Sequence, residues 1–294
     1  MDVADLRLFE AVARLGVMGR AAVELNTVQS NVTARIRALE DSLGCRLFDR
    51  HAGGVSLTDA GRRLLPYAQR IPRLLADAAL AARDDGTPRG RLAIGALETT
   101  TALRLAPLLA DFARACPEVD LVLRPGTTCE LVAAVREGAV DGAFVCGPVV
   151  DPELDARPMF REDLAIFAAP GTASLPGLIA AGDLRIVVLR AGCSYRLRLE
   201  AVLARRGVPA PRLMEFGTLE AIFACVAAGL GITLLPRALV GGVCASGRVA
   251  VLALPPAEAA VETVFLRRRD GFASSALAAF LAQAGQAFGL AAAA

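Results

Sequence analysis

The chain contains no lysine: its 32 lysine-plus-arginine positions are all arginine. It also lacks tryptophan and carries two tyrosines and a single histidine, His51. Each absence removes a class of chemistry. Without lysine there is no phosphate-binding GK[ST] loop, no Schiff-base catalysis and no anchor for pyridoxal phosphate. With one histidine there is no HExxH zinc site, and a Ser-His-Asp triad would have to run through His51. The expectation is a protein that is not an enzyme and needs neither cofactor nor metal.

Seven cysteines (Cys45, Cys116, Cys129, Cys146, Cys193, Cys225 and Cys244) are scattered singly, with no CxxC pair. That pattern suits a reducing cytoplasm better than a disulfide framework or a zinc cluster. The opening Met1-Asp2-Val3-Ala4-Asp5 is acidic where an export signal is basic, so cytoplasmic residence is expected. Two uncharged stretches raise the question of a membrane. Residues 221–236 are short for a span and are broken by Gly229, Gly231 and Pro236. Residues 271–294 are mostly alanine, with Phe272, Leu277, Phe280, Leu281 and Phe288 at near-helical spacing, which predicts a helix docked on a core. No membrane partner is expected. With 294 residues and 55% hydrophobic composition there is enough material for roughly two or three domains.

What is present begins with helices. Leu6, Phe9, Val12 and Ala13 recur at three- and four-residue spacing up to Gly16. A short helix follows over 20–25, then a break at Asn26-Thr27, then a helix over about 29–43. Val32, Ile36, Leu39 and Leu43 form its expected buried stripe, and Gly44 its left-handed cap. The other face shows Gln29, Ser30, Asn31, Thr33, Arg35 and Arg37. Two short helices around a tight turn, the second with such a face, predict a helix-turn-helix. Gln and Asn pair with adenine, Ser and Thr with several base edges, and Arg with guanine or phosphate. Gly53-Gly54 between short extended pieces predicts the hairpin of a wing, with Arg50 and His51 at its base near the phosphates or minor groove. A net charge of +2 adds little to this; the order of the elements carries it.

Thr58-Asp59 opens a long helix to about residue 84. Leu64, Leu65, Ala68, Ile71, Leu74, Leu75, Ala78 and Ala79 form one stripe, and Pro66 and Pro72 predict a bend or a late start. Such a helix reads as a linker and dimerisation element, followed by a hinge at 84–90. From Arg91 onward strands and helices alternate in βαβαβ order, which implies an open parallel sheet. A second such set follows Pro158. The fold class is therefore an N-terminal all-α winged helix-turn-helix with a long linker helix, then a C-terminal α/β bilobal domain of periplasmic-binding-protein type. The expected boundaries are 1–58 for the DNA-binding domain, 59–88 for the linker helix and hinge, and 89–294 for the effector domain. Lobe I would take about 89–160 and 266–294, and lobe II about 161–265.

The residues Arg20-Ala21-Ala22-Val23-Glu24-Leu25, Val28-Gln29-Ser30-Asn31-Val32-Thr33, Ile36-Arg37-Ala38-Leu39-Glu40 and Leu43-Gly44-Cys45-Arg46-Leu47-Phe48-Asp49-Arg50 carry a resemblance. So do Val55-Ser56-Leu57-Thr58-Asp59-Ala60-Gly61 and the turn Gly229-Leu230-Gly231-Ile232-Thr233-Leu234-Leu235-Pro236. The whole chain resembles a LysR-type transcriptional regulator, specifically in about its first sixty residues and in architecture beyond. It departs in having Gly19 and Val28 where the family commonly has Ser or Thr; Asn26 or Thr27 is expected to take over the second cap. The resemblance implies a regulator that binds double-stranded promoter DNA as a homo-oligomer, a dimer or a tetramer built as a dimer of dimers. It also implies a small effector between two lobes, with RNA polymerase as a candidate partner. Arg20 joins the polar face as a candidate DNA contact.

In open α/β sheets a ligand sits beyond the carboxyl ends of the strands, where helices begin. Glu98, Thr99 and Thr100 follow the first such strand, Thr127 and Thr128 the second. Cys193, Ser194, Tyr195 and Arg196 precede one helix of the second lobe, and Thr218 another. Hydroxyls and free helix N–H groups suit a small carboxylate, and Glu98 at the same mouth suits an amine, so an amino acid satisfies both. Two alternatives stand beside this reading. Cys193 at a helix start opens a redox-sensing role, and a solute-binding protein without DNA function fits the second half.

Overall fold

The structure is a computed structural model that describes residues 1–242, 244–245 and 247–289. The end of the alanine tail, 290–294, lies outside the described residues. The chain divides between Asp84 and Asp85 into two compact units.

In the first unit Asp2 and Asp5 form a reciprocal capping box that opens α1 (Val3–Leu15), which ends on Gly16 in the left-handed conformation. Helices α2 (Met18–Glu24) and α3 (Gln29–Leu43) follow, and Gly44 closes α3 as a left-handed cap. Val32, Ile36 and Leu39 face the core, but Leu43 remains 39% exposed, because the last turn of α3 runs past the bundle. The expected cap from Asn26 or Thr27 does not form. Val28 is the N-cap of α3 and makes no side-chain cap bond, while Asn26 takes the left-handed φ that turns the chain.

Strands β1 (Phe48–His51) and β2 (Gly54–Leu57) pair antiparallel as the wing, with His51 opposite Gly54. Two contacts hold it to the bundle. The Glu40 carboxylate accepts the Leu47 and Phe48 amides at 2.7 and 3.2 Å, and Val55 N–H donates to Gly16 O at 2.8 Å. At Gly54 a Cβ would lie 2.3 Å from that same Gly16 oxygen, and φ is +136°, so only glycine fits. Phe9 and Phe48 pack with tilted rings, their centroids 5.2 Å apart, in the core.

Helix α4 (Asp59–Ala81) is capped by Thr58 and runs unbroken through Pro66 and Pro72. Its first half seats Leu64, Leu65, Ala68 and Ile71 on the bundle. Farther along, Leu74, Leu75 and Leu80 are 42–54% exposed, as is Tyr67 on the earlier turns at 61%.

The second unit opens with β3 (Gly90–Ala96), α5 (Glu98–Thr100), a π turn (Thr101–Leu105) and α6 (Ala106–Ala115). Next come β4 (Val119–Pro125), α7 (Thr128–Arg136), β5 (Gly142–Cys146) and β6 (Leu154–Ala168). The chain then forms α8 (Leu175–Ala180), β7 (Arg185–Leu189), α9 (Ser194–Ala204), β8 (Arg212–Phe216), α10 (Leu219–Ala227) and β9 (Thr233–Pro236). It closes with β10 (Ala250–Ala253), α11 (Pro256–Ala259), β11 (Ala260–Arg268) and α12 (Ser275–Ala287).

Strand β3 is parallel to β4 and β5, and β11 returns antiparallel beside β5 and β6. Strand β6 is shared between lobes: Leu154–Asp163 pairs with β11, while Leu164–Phe167 pairs with β9 and Ala165–Ala168 with β10. The sequence pattern shows only its second half, because Arg157, Pro158 and Arg161 interrupt the apolar run of the first. Beyond β9 the sheet of lobe II continues through a bridge from Ile232 to Ile186 into the parallel pair β7–β8. Phe112, Phe144, Phe265 and Phe280 fill the core of lobe I in edge-on pairs. The ends of β3, β4 and β7, and the helices they feed, are thereby turned toward one cleft.

Candidate functional site

The first unit offers a polar surface on α3. Ser30, Ala34 and Arg37 recur at helical spacing and are all exposed, flanked by Gln29 and Asn31. The Asn31 amide donates to Thr27 Oγ1 at 2.9 Å, which fixes its orientation. Gly19 has a local reason: a Cβ there would stand 3.2 Å from the Gln29 side-chain oxygen. Two expected members of the surface turn the other way. The Arg35 guanidinium reaches Asp5 through Nε at 3.0 Å and through Nη2, and Asp2 at 3.3 Å, so it ties α3 to α1. Burial works against the Asp5 charge, but the Arg35 hydrogen bond and the Asp2 amide hold its carboxyl below the ordinary range. The Thr33 hydroxyl donates to Met18 Sδ at 3.4 Å, between α2 and α3.

Two groups of cations stand out in this unit. Arg14, Arg35 and Arg62 are neutralised by Glu10 and Glu24, by Asp2 and Asp5, and by Asp59. Among the described residues, Arg20, Arg37, Arg46 and Arg50 are exposed and have no ion-pair partner. His51 lies at the wing turn, its Nδ1 accepting the Gly53 amide at 3.2 Å. Ala34 escaped sequence reasoning because an alanine carries no polar signal, yet an exposed methyl group suits a thymine methyl.

The second unit holds a cavity of about 350 Å³ between the lobes. Glu98, Thr99, Thr127, Cys193, Ser194 and Tyr195 line it, as expected; Arg190, Leu97, Pro125 and Leu189 also line it and were not anticipated. The signal for Arg190 was its place at the end of a strand, just before a helix start.

Four expected residues do not line the cavity. Thr100 is buried behind it. The Thr128 hydroxyl accepts from Ser194 Oγ at 2.8 Å across the lobes. Arg196 is bound to Glu200 and Glu215 at 3.0 and 2.9 Å, and Thr218 caps α10.

Each helix start at the cleft has a different occupant. At α7, Thr127 and Glu130 form a capping box. At α10, Glu98 from lobe I accepts the Leu219 amide of lobe II at 3.2 Å. At α9 the N-cap is Cys193, whose side chain makes no cap bond.

Burial pushes the Glu98 carboxyl up, the nearby Glu220 charge adds to this, and the Leu219 amide and Arg190 oppose it. Burial likewise pushes the Cys193 thiol up against the Arg196 and Tyr195 amides and the Arg196 charge, opposite to what an activated thiol requires. All seven cysteines are free. The Tyr195 hydroxyl donates to Glu162 at 3.3 Å beneath the cavity floor, and burial raises both groups. Thr99 Oγ1 makes no hydrogen bond of good geometry, although Tyr195 is near.

A three-helix head with a wing, in one chain with a two-lobed unit whose cleft holds a metabolite-sized cavity, defines a ligand-responsive DNA-binding regulator. The comparisons agree. Residues 3–62 match the family described as bacterial regulatory helix-turn-helix protein, lysR family, and residues 85–289 match the LysR substrate binding domain. The chain belongs to the LysR family of transcriptional regulators. It is 44% identical to the uncharacterized HTH-type transcriptional regulator YusT of Bacillus subtilis (strain 168), covering 96% of this chain and 94% of that one. The HTH-type transcriptional regulator GltR of the same organism is 38% identical over 96% of this chain and 95% of its own. Among solved structures, full-length CbnR in complex with its target DNA matches at a TM-score of 0.60 and 24% identity, covering 98% of this chain and all of that one. No described helix is long and apolar enough to cross a membrane.

Proposed function

We propose that this regulator reads promoter DNA through α3 and the wing. Gln29, Ser30, Asn31 and Ala34 would meet base edges, and Arg20, Arg37, Arg46, Arg50 and His51 the phosphates or minor groove. The observation that carries this is the set of four exposed guanidiniums on and beside α3 that make no ion pair, while Arg35 of the same helix is tied to Asp2 and Asp5. Arg35 and Thr33 support the surface from beneath rather than forming it. The uncovered leucines of α4 supply the surface for a dimer, or for a tetramer of paired dimers. The protein acts without catalysis, in the cytoplasm where its DNA lies. In this reading the head ends at 58, where Thr58 caps α4, and the linker helix and hinge end at 88, before β3 begins at Gly90.

The effector in this reading is a small carboxylate or amino acid in the cleft, and its occupancy sets the strength or register of DNA binding. A mobility-shift titration on the chain's own upstream DNA, across salt, tests it. A sequence-specific complex with a steep inverse salt dependence is expected, since each released counterion adds to the slope. Loss of Arg37 or Arg50 should flatten that slope by about 0.9 per phosphate contact. A complex that is indifferent to salt and to both substitutions would defeat the assignment.

A further inference from the structure

The lining of the cleft carries one acid and one base, and each is only loosely partnered. Glu98 projects from lobe I, is partly desolvated, and receives a single backbone hydrogen bond; among the described residues no guanidinium forms an ion pair with it. Its Oε1 is the atom that meets Leu219, which leaves Oε2 for another donor. Arg190 lines the same cavity from the turn that feeds α9, where Cys193 N–H donates to Arg190 O at 3.3 Å. Among the described residues its one ion-pair partner is Glu130 at 3.8 Å, the edge of ion-pair distance; its charge also acts on Glu98, and the side chain is about half exposed. Arg196, at the start of α9, is held by two carboxylates.

Beside Arg190, α9 begins on a cysteine that offers its free amides only a weak acceptor. The wall between the two charges is apolar, formed by Leu97, Pro125 and Leu189, and the Thr99 hydroxyl is buried beside it without a good partner. An unpaired half-buried carboxylate repels a simple anion and attracts an ammonium; a loosely held guanidinium beside bare helix amides attracts a carboxylate in a bidentate grip. The volume lies at the low end of small-molecule sites, roughly 300–1,000 Å³, which suits a metabolite.

We propose that the cleft selects a zwitterion of the α-amino acid class, with Glu98 reading the ammonium and Arg190 the carboxylate. The proposal rests on the cleft being the effector site, and it makes Glu98 the residue that separates amino acids from plain carboxylates. Because Oε1 already ties Glu98 to α10, a ligand ammonium on Oε2 adds its attraction to an existing contact between the lobes. The apolar wall receives the ligand's side chain.

The test is calorimetric and thermal-shift titration of the full-length protein against the twenty α-amino acids and, for each, the carboxylic acid of the same side chain without the amine. Wild-type protein should bind at least one amino acid about tenfold or more tighter than its des-amino counterpart, because truncating one side of a desolvated charge pair strands the other. Glu98→Gln keeps an acceptor for the Leu219 amide and should bring that ratio to within about threefold. Arg190→Gln should weaken both members of the pair together. Plain carboxylates binding wild-type protein as well as the amino acids do, with Thr127→Val or Ser194→Ala abolishing both, would leave the cleft as the effector site and overturn the zwitterion. An amino acid preference that survives Glu98→Gln unchanged would overturn the role of Glu98. No binding by either series would overturn the proposal outright; if promoter binding in crude metabolite extract then also ignored Thr127→Val and Ser194→Ala, the cleft reading would fall with it.

Discussion

Replacing Arg35 with alanine should weaken the fold and leave the DNA surface intact, and replacing Arg37 should do the reverse. The geometry sets the size of the first effect. Arg35 makes two hydrogen bonds to Asp5 and one to Asp2, all charge-assisted. Such bonds contribute about 1.5–3 kcal/mol each when well buried. Here the Arg35 side chain is 34% exposed and that of Asp5 19%, so solvent screening and side-chain entropy reduce the total to about 1–2 kcal/mol. Arg37 has no partner to lose, so its removal should change stability by less than about 0.5 kcal/mol.

Urea unfolding measures this cleanly, because the chain has no tryptophan and one tyrosine in each unit, Tyr67 and Tyr195. In a Tyr195→Phe background, tyrosine fluorescence reports the first unit alone. The Arg35→Ala transition should move to lower urea at constant slope. The pH dependence has a definite sign as well. Asp5 is held below its unfolded value near 3.9, so its contribution is present above that pH and lost as pH falls through the folded value. Arg35→Ala should erase much of that acid-side loss. Equal stability of the two variants, with specific DNA affinity lost in Arg35→Ala alone, would return Arg35 to the DNA surface and refute the reasoning.

Three further outcomes are expected. Gly54→Ala places a methyl group 2.3 Å from Gly16 O at a φ of +136°, so the wing should detach at a cost of about 2 kcal/mol or more, seen as faster amide exchange over β1 and β2. In timed alkylation, Cys45 and Cys129 should react first, and buried Cys146, Cys193 and Cys244 should resist; rapid modification of Cys193, or a peroxide response lost in Cys193→Ser, would restore the sensor reading. Glu98 is raised by burial above its ordinary range, so the folded state holds its proton longer and stability of the second unit should decline as pH rises through that window. Glu98→Gln should flatten the decline in a pH series of thermal melts.

Much of this was legible in the sequence for identifiable reasons. Helix spacing, Gly16, Gly44 and the Gly53-Gly54 pair each act locally, and local rules located α1, α3 and the wing. The half-truth was the polar face of α3: periodicity assigned Thr33 and Arg35 to the same face as Arg37, but their partners, Met18 and the Asp2–Asp5 pair, lie on other helices. A one-dimensional pattern cannot distinguish an arginine facing solvent from one that meets an acid thirty residues away in sequence. The first half of β6 was hidden in the same way. Arg157 and Arg161 break the apolar pattern, yet they belong to a strand in which Met159, at the register slip, and Glu162, beyond it, are buried. At the cleft, helix starts were visible but their occupants were not, so Arg190 was missed while Arg196, already spent on two acids, was included.

The sharing of β6 between the lobes has a mechanical consequence. Two strands, β6 and β11, carry the crossing, and their register slips once, where Thr263 faces Phe160 and the next residue, Val264, faces Pro158. A ladder of backbone bonds resists stretching and shear far more than it resists torsion. Rotation about this two-strand shaft is therefore the easiest movement of one lobe against the other, with the slipped residue Met159 as its compliant joint and the Glu98–Leu219 and Thr128–Ser194 contacts across the cleft as its stops. The angle between the lobes would then have one soft coordinate, and the reach of a signal would be set by how tightly the core grips that joint.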